Sequence, residues 1–252
     1  MIVLFLHGFG DEAQRALSLF NTKDRLYSII APDMPGCGMS SNNIKEPTMQ
    51  YYCDIVQEFI KKVIGDKGFY IVAQSLGAVP ALYNAIKNAN VKQVFGVVPI
   101  MPRDESPADI EQKRRWMLAS TPEQWYETQL NLFSEYDNDW IITEAAKQKI
   151  LQTPKSFFEY RIKTFSKLAS EIFDMTFVKN LYEKFYKTNR NYMVFLSRND
   201  KFFRFDKAEK YINLYKISTY ELNDSGHAMF YKNTPKIHNY INNFIKKTEG
   251  FY

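Results

Sequence analysis

The segment Ile71-Val72-Ala73-Gln74-Ser75-Leu76-Gly77-Ala78 constrains this chain more than any other. An apolar, β-branched run stops at a serine, and a helix-forming stretch follows at once. Small residues two positions before and two after the serine, Ala73 and Gly77, relieve the crowding of a sharp strand-to-helix turn. The hydroxyl of Ser75 is then expected to stand exposed at the edge of a sheet.

The rest of the chain supplies such a sheet. Met1 to Leu6 is a short, wholly apolar run ended by His7-Gly8, which suits a strand buried on both faces. A second β-rich run, Tyr27 to Ala31, stops at the Pro/Gly-dense stretch Pro32-Asp33-Met34-Pro35-Gly36. An amphipathic helix is predicted over 49–64 with Tyr52, Ile55, Phe59 and Val63 on one face. Strands are predicted over 69–72 and 91–100, with a helix over 76–86 between them. This alternation implies an α/β fold with a mostly parallel sheet covered on both sides.

From about Arg103 to Asn189 the pattern is helical, with Pro107, Pro122 and Pro154 marking turns, and no strand is predicted. Sheet texture returns over 192–197 and 216–222, with helices over 206–214 and 235–246. The expected organisation is therefore a core of residues 1–102 and 190–252 interrupted by a helical cap over 103–189. About six strands are expected.

Composition narrows the function classes. With 45% hydrophobic and 24% charged residues the chain can bury an ordinary core. No run approaches the roughly 18–20 apolar residues of a spanning helix, and no basic leader precedes the first strand, so a cytoplasmic protein without stable membrane insertion is expected. Cys37 and Cys53 lack zinc-site spacing and read as reduced thiols, so no metal or other cofactor is expected. The net charge of +5 is spread over scattered lysines, without the aromatic-basic clusters of nucleic-acid binders. Its densest cluster, Lys113-Arg114-Arg115, could steer a carboxylate-bearing or carrier-linked substrate, but reads first as a solvated helix face.

Serine is a poor nucleophile until a base takes its proton, and an oriented imidazole does this near neutral pH. His227, in Asn223-Asp224-Ser225-Gly226-His227, follows the last β-run and would reach the same sheet edge as Ser75. Asp200 falls just past the preceding strand and is the expected orienting acid. Asp206 reads as a helix cap, and Asp224 as a turn former. His7 is expected to bond loop backbone, and His238 to pack in the terminal helix. The glycine-flanked loop His7-Gly8-Phe9-Gly10 could turn the Phe9 N–H toward the serine. With the N–H of Leu76 it would form a two-donor oxyanion hole.

With Ser75, Asp200 and His227 in that order and His-Gly-Phe-Gly upstream, the chain resembles the α/β-hydrolase superfamily over nearly its whole length, in particular its capped serine esterase and lipase-like members. Asp33-Met34-Pro35-Gly36-Cys37-Gly38-Met39-Ser40 matches the loop that follows the corresponding strand in many of them. Ala73 stands where the family usually has glycine. The two strands that usually precede the His-Gly loop have no counterpart here, so the first sheet edge is expected to be exposed.

The resemblance implies a serine hydrolase acting through an acyl-enzyme on a small-molecule ester or thioester. A short- or medium-chain carboxylic ester is the modal substrate. A thioesterase, an aminopeptidase and a non-catalytic binding protein of the same fold are the alternatives. All three tryptophans, Trp116, Trp125 and Trp140, fall in the cap, where they either pack its helices or roof a pocket. Phe9, Met101, Trp116 and Met229 are the candidate pocket residues.

Overall fold

The computed structural model describes residues 1–44, 46–188 and 190–251. Six strands, β1 (Ile2–Leu6), β2 (Ser28–Ile30), β3 (Phe69–Gln74), β4 (Val91–Val97), β5 (Tyr192–Leu196) and β6 (Ser218–Glu221), make one sheet in the order β2-β1-β3-β4-β5-β6. Every neighbouring pair is parallel. Leu4, Leu6, Ile71, Ala73 and Val194 belong to the core on one face, and Val3, Phe5, Tyr70, Val72 and Phe195 to the core on the other. Burial on both faces is why β1 and β3 read as unbroken apolar runs rather than alternating ones.

The two edge strands are short. Beside β1 the sheet ends at β2, three residues long and only partly covered, and at the far side every residue of β6 is exposed. Edges this short offer little template for pairing with another chain.

Near the N-terminus, a 3-10 turn over Ala13–Ala16 runs into the short helix α1 (Leu17–Phe20), and α2 (Met49–Phe59) and α3 (Ala78–Lys87) follow. The buried residues of α2 are Met49, Tyr52, Cys53 and Val56, one step round from the predicted face. Both stripes are apolar, so periodicity alone does not choose between them; the contact with α3 and the sheet does. The last turn, Ile60–Ile64, widens into a π-turn closed by Gly65 N–H donating to Ile60 O at 2.9 Å. Ile60 and Ile64 are thereby buried, while Val63 is left 51% exposed.

Between β4 and β5 the described residues are helical: α4 (Pro107–Met117), α5 (Pro122–Leu132), α6 (Glu144–Leu151), α7 (Lys155–Phe173) and α8 (Met175–Tyr186). Pro107 and Pro122 occupy first-turn positions and Pro154 caps α7, where a missing N–H costs nothing. Phe165, Leu168 and Ile172 of α7 and Val178, Tyr182 and Phe185 of α8 join the same core as the sheet. The Tyr182 hydroxyl donates to Ile100 O at 2.9 Å, tying α8 to the segment after β4. The expected end of the insertion at residue 189, and residue 252, lie outside the described residues.

The chain closes with α9 (Phe205–Tyr215) and α10 (Phe230–Glu249). The last helix starts a turn and a half before the prediction and carries Pro235 in its interior. Pro235 is exposed, so the carbonyl left without an N–H partner faces solvent. Phe230, Ile237, Ile241 and Ile245 of α10 fill the second core with Leu19 of α1. No helix among the described residues is long and apolar enough to cross a membrane.

Candidate active site

Ser75 sits at φ +49°, directly after the last residue of β3 and as the first residue of a 3-10 turn, Ser75–Gly77, that leads into α3. A left-handed backbone is costly for a residue with a Cβ, and it lifts the side chain off the sheet's carboxyl edge. Glycine at 77 is required by packing: a Cβ there would lie 2.3 Å from the backbone oxygen of Leu6. At Gly8 a Cβ would lie 3.3 Å from Ser75 Cβ, so the loop after β1 runs directly against the serine. Alanine at 73 is accommodated as a fully buried strand residue in the core.

His227 and Asp200 come from loops after adjacent strands. Leu222 N–H donates to Leu196 O at 2.8 Å and the Ser197 hydroxyl to Ser225 O at 2.5 Å, so the β5 and β6 loops are sewn together. The imidazole Nε2 lies 3.1 Å from Ser75 Oγ, and Nδ1 lies 2.7 Å from Asp200 Oδ2. The other carboxylate oxygen of Asp200 accepts the N–H groups of Phe202 and Phe203, each at 2.8 Å. With its side chain wholly buried, Asp200 is oriented from both sides. Asp206 instead pairs with Arg204, and Asp224 accepts from Asn233 and Lys236.

Two supports have no signal in the sequence. Asp137, between α5 and α6, accepts the Gly226 N–H at 3.1 Å with one oxygen and the Ser134 N–H at 2.6 Å with the other. Ala228 N–H donates to Leu132 O at 2.8 Å, so the helical segment between β4 and β5 clamps the histidine loop on both sides of His227. Val98, just past β4, is held at φ +43°, a rare conformation for a β-branched residue, by its N–H bond to Phe195 O at 2.8 Å. Ile100 N–H then reaches Ser75 O at 3.0 Å.

Among the described residues the Phe9 N–H has no protein acceptor, and the Leu76 N–H lies in the first turn of a helix, ahead of its regular bonding. His7 donates Nδ1–H to Gly8 O at 2.8 Å and accepts the Met34 N–H at Nε2 at 2.9 Å, tying the β1 loop to the β2 loop. In that second loop Asp33 accepts from Ala13 N–H at 2.6 Å and Met39 N–H at 2.8 Å. His238 is buried, with Nδ1 3.0 Å from the Tyr27 hydroxyl.

Burial lowers the pKa of both His7 and His238 from the ordinary 6.5. The unfolded imidazoles therefore take up protons that the folded ones resist, and stability present above pH 6.5 is lost as pH falls below it. Urea midpoints are expected to drop between pH 7.5 and 5.5. The slope should flatten in His238→Gln, and a pH-independent midpoint would contradict the account.

Ser75 and His227 open onto a cavity of about 580 Å³. Phe9 and Trp116 line it; Met101 and Met229 do not. Both methionines are fully buried, Met101 packed in the first core and Met229 in the second, where burial of the apolar side chain against the sheet withdraws it from the cavity. Lys113 departs from the solvated-face expectation: it is 3% exposed, lines the cavity, and pairs with Glu105, which also holds Arg103 at 3.1 Å. Arg114 and Arg115 are exposed. Arg161 of α7 also lines the cavity, and burial pushes its pKa down to about 10. Among the described residues no three His, Cys, Asp or Glu side chains gather to hold a metal ion.

A family model described as alpha/beta hydrolase fold matches residues 2–234. Among solved structures, an alpha/beta hydrolase enzyme from a Medee basin deep-sea metagenome library superposes with a TM-score of 0.78 at 16% identity, covering 97% of this chain and 88% of that one. A thermophilic esterase from Thermogutta terrifontis gives 0.74 at 18% identity, covering 98% and 90%. Likeness at these identities bears on the fold. The dihydrolipoyllysine-residue acetyltransferase component of the acetoin cleaving system of Cupriavidus necator is 30% identical over 84 residues, 33% of this chain and 22% of that protein. The match thus spans about a fifth of that relative's length.

Proposed function

The chain belongs to the alpha/beta hydrolase fold family, and from that premise we propose that it is a serine hydrolase cleaving a short- or medium-chain carboxylic ester through an acyl-enzyme. The observation that carries this reading is the hydrogen-bonded line from Ser75 Oγ through both nitrogens of His227 to the buried Asp200. A neutral imidazole whose Nδ1–H is held by a carboxylate presents Nε2 as an acceptor, and Nε2 here faces the serine hydroxyl.

In the proposed reaction Ser75 attacks the substrate carbonyl as its proton passes to His227 Nε2. The Phe9 and Leu76 N–H groups receive the developing oxyanion, fixed dipoles being most effective where water is scarce. The imidazolium returns its proton to the leaving alcohol. Water then enters, gives a proton to the same nitrogen and attacks the acyl carbon, and the tetrahedral adduct collapses to release the acid and restore the Ser75 hydroxyl. Asp200 keeps its charge throughout.

We assign the role of lid to the helical segment after β4, whose Trp116, Trp125 and Phe157 line the same cavity as the serine. A volume of about 580 Å³ suits a small-molecule ester. The test is hydrolysis of p-nitrophenyl esters from acetate to palmitate. Turnover with kcat/KM highest at short or medium acyl chains is expected. Absence of turnover on every ester, or a preference for the longest, would overturn it.

A further inference from the structure

Arg161 belongs to α7. It is 6% exposed, lines the same cavity as Ser75, and among the described residues has no carboxylate partner. Its guanidinium donates to Gly10 O at 3.1 Å and Met117 O at 3.2 Å, while its buried Nε has no acceptor. The rings of Phe9, Trp125, Phe157 and Phe165 surround it, with the guanidinium carbon 5.0–5.9 Å from their centres. Gly10 is shaped to it: at φ +57°, a Cβ there would lie 2.5 Å from Nη1.

A buried charge without a counter-ion is unfavourable unless a partner completes it. Two carbonyls and four ring faces hold the group in position, while Asp11, a carboxylate of the same cavity wall, pairs with Arg15 and not with Arg161. The wall holds Arg15, Arg103 and Lys113 as well as Arg161, against the lining carboxylates Asp11 and Glu12 and the Glu105 carboxylate that Arg103 and Lys113 share, so cations outnumber acids around the cavity. Gly10, which Arg161 grips, is two residues from Gly8 against Ser75, at most about 7.6 Å between Cα atoms. An anionic group on Arg161 therefore belongs to the molecule whose carbonyl faces Ser75.

We propose that Arg161 anchors a free carboxylate on the substrate, so that the preferred ester is one carrying a second, unesterified carboxyl group. This rests on the serine-hydrolase reading above. A planar guanidinium fork matches a carboxylate with two parallel hydrogen bonds, and the flat aromatic surround excludes the water that would otherwise weaken them.

The experiment compares kcat/KM for p-nitrophenyl monoesters of dicarboxylic acids, succinate through adipate, with methyl-terminated esters of equal length. At one length or more the carboxylate ester is expected to lead by at least about tenfold, and Arg161→Gln should reduce that ratio by about 10- to 100-fold. A second arm needs no variant: with wild-type enzyme and a neutral ester, hexanoate should inhibit competitively, while hexanamide and inorganic phosphate should not. Equal turnover of charged and neutral esters at every length overturns the anchor, as does phosphate inhibiting as well as hexanoate. Either result leaves neutral-ester turnover and covalent labelling of Ser75 intact. Loss of all turnover and labelling in the wild type overturns the serine-hydrolase reading and the anchor with it.

Discussion

Ser75→Ala is expected to lower kcat by about 10⁴- to 10⁶-fold while the protein stays folded. The hydroxyl makes one hydrogen bond, to His227 Nε2 at 3.1 Å, and its loss leaves that nitrogen facing a cavity open to water rather than a dry core. Stability should therefore change by only a few tenths of a kcal/mol. Ser75→Gly separates backbone from chemistry. It loses activity to the same extent, yet should gain about 1 kcal/mol, because glycine adopts φ +49° without the Cβ penalty. Burst and steady-state kinetics with urea unfolding read both. Residual activity within tenfold of wild type would mean that another group attacks.

The second large effect is that of Asp200→Asn, expected to reduce kcat by roughly 10³- to 10⁴-fold with the site geometry preserved. The Phe202 and Phe203 N–H groups both point at Asp200 Oδ1, so an asparagine keeps its carbonyl oxygen there and turns its NH₂ toward His227. A donor facing Nδ1 drives the imidazole into the other tautomer. Nε2 then carries the proton and cannot accept one from Ser75. The change should fall on kcat more than on KM, since nothing at the cavity wall moves. An equal loss in Asp206→Asn or Asp224→Asn, with Asp200→Asn near wild type, would contradict this assignment.

The sheet and the line from Ser75 to Asp200 are legible in the sequence because both depend on local order. Short β-forming runs, apolar in β1, β3 and β5 and mixed in β4 and β6, mark the strands, and Ser75, Asp200 and His227 each follow one. What parallel pairing brings together is then any residue just past a carboxyl end. Side-chain direction beyond a strand end is not written locally, so Met101 and Met229 read as pocket residues although both turn into the core.

Lys113 looks solvated beside Arg114 and Arg115, and only its ion pair with Glu105, eight residues earlier, brings it inside. Arg161 lies within Phe157-Phe158-Glu159-Tyr160-Arg161, where helical spacing places Phe157 and Phe165 one turn to either side. That spacing shows the rings but not the cavity they line. Asp137 and the left-handed Val98 depend on contacts far apart in the chain and carry no sequence mark.

The central claim, that Ser75 is an activated nucleophile, is tested most directly by reaction with a fluorophosphonate probe followed by peptide mapping of the adduct. The account predicts one adduct, on Ser75, absent from Ser75→Ala and strongly slowed in Asp200→Asn. A folded wild-type protein that takes no label, or a label that persists in Ser75→Ala, would contradict it.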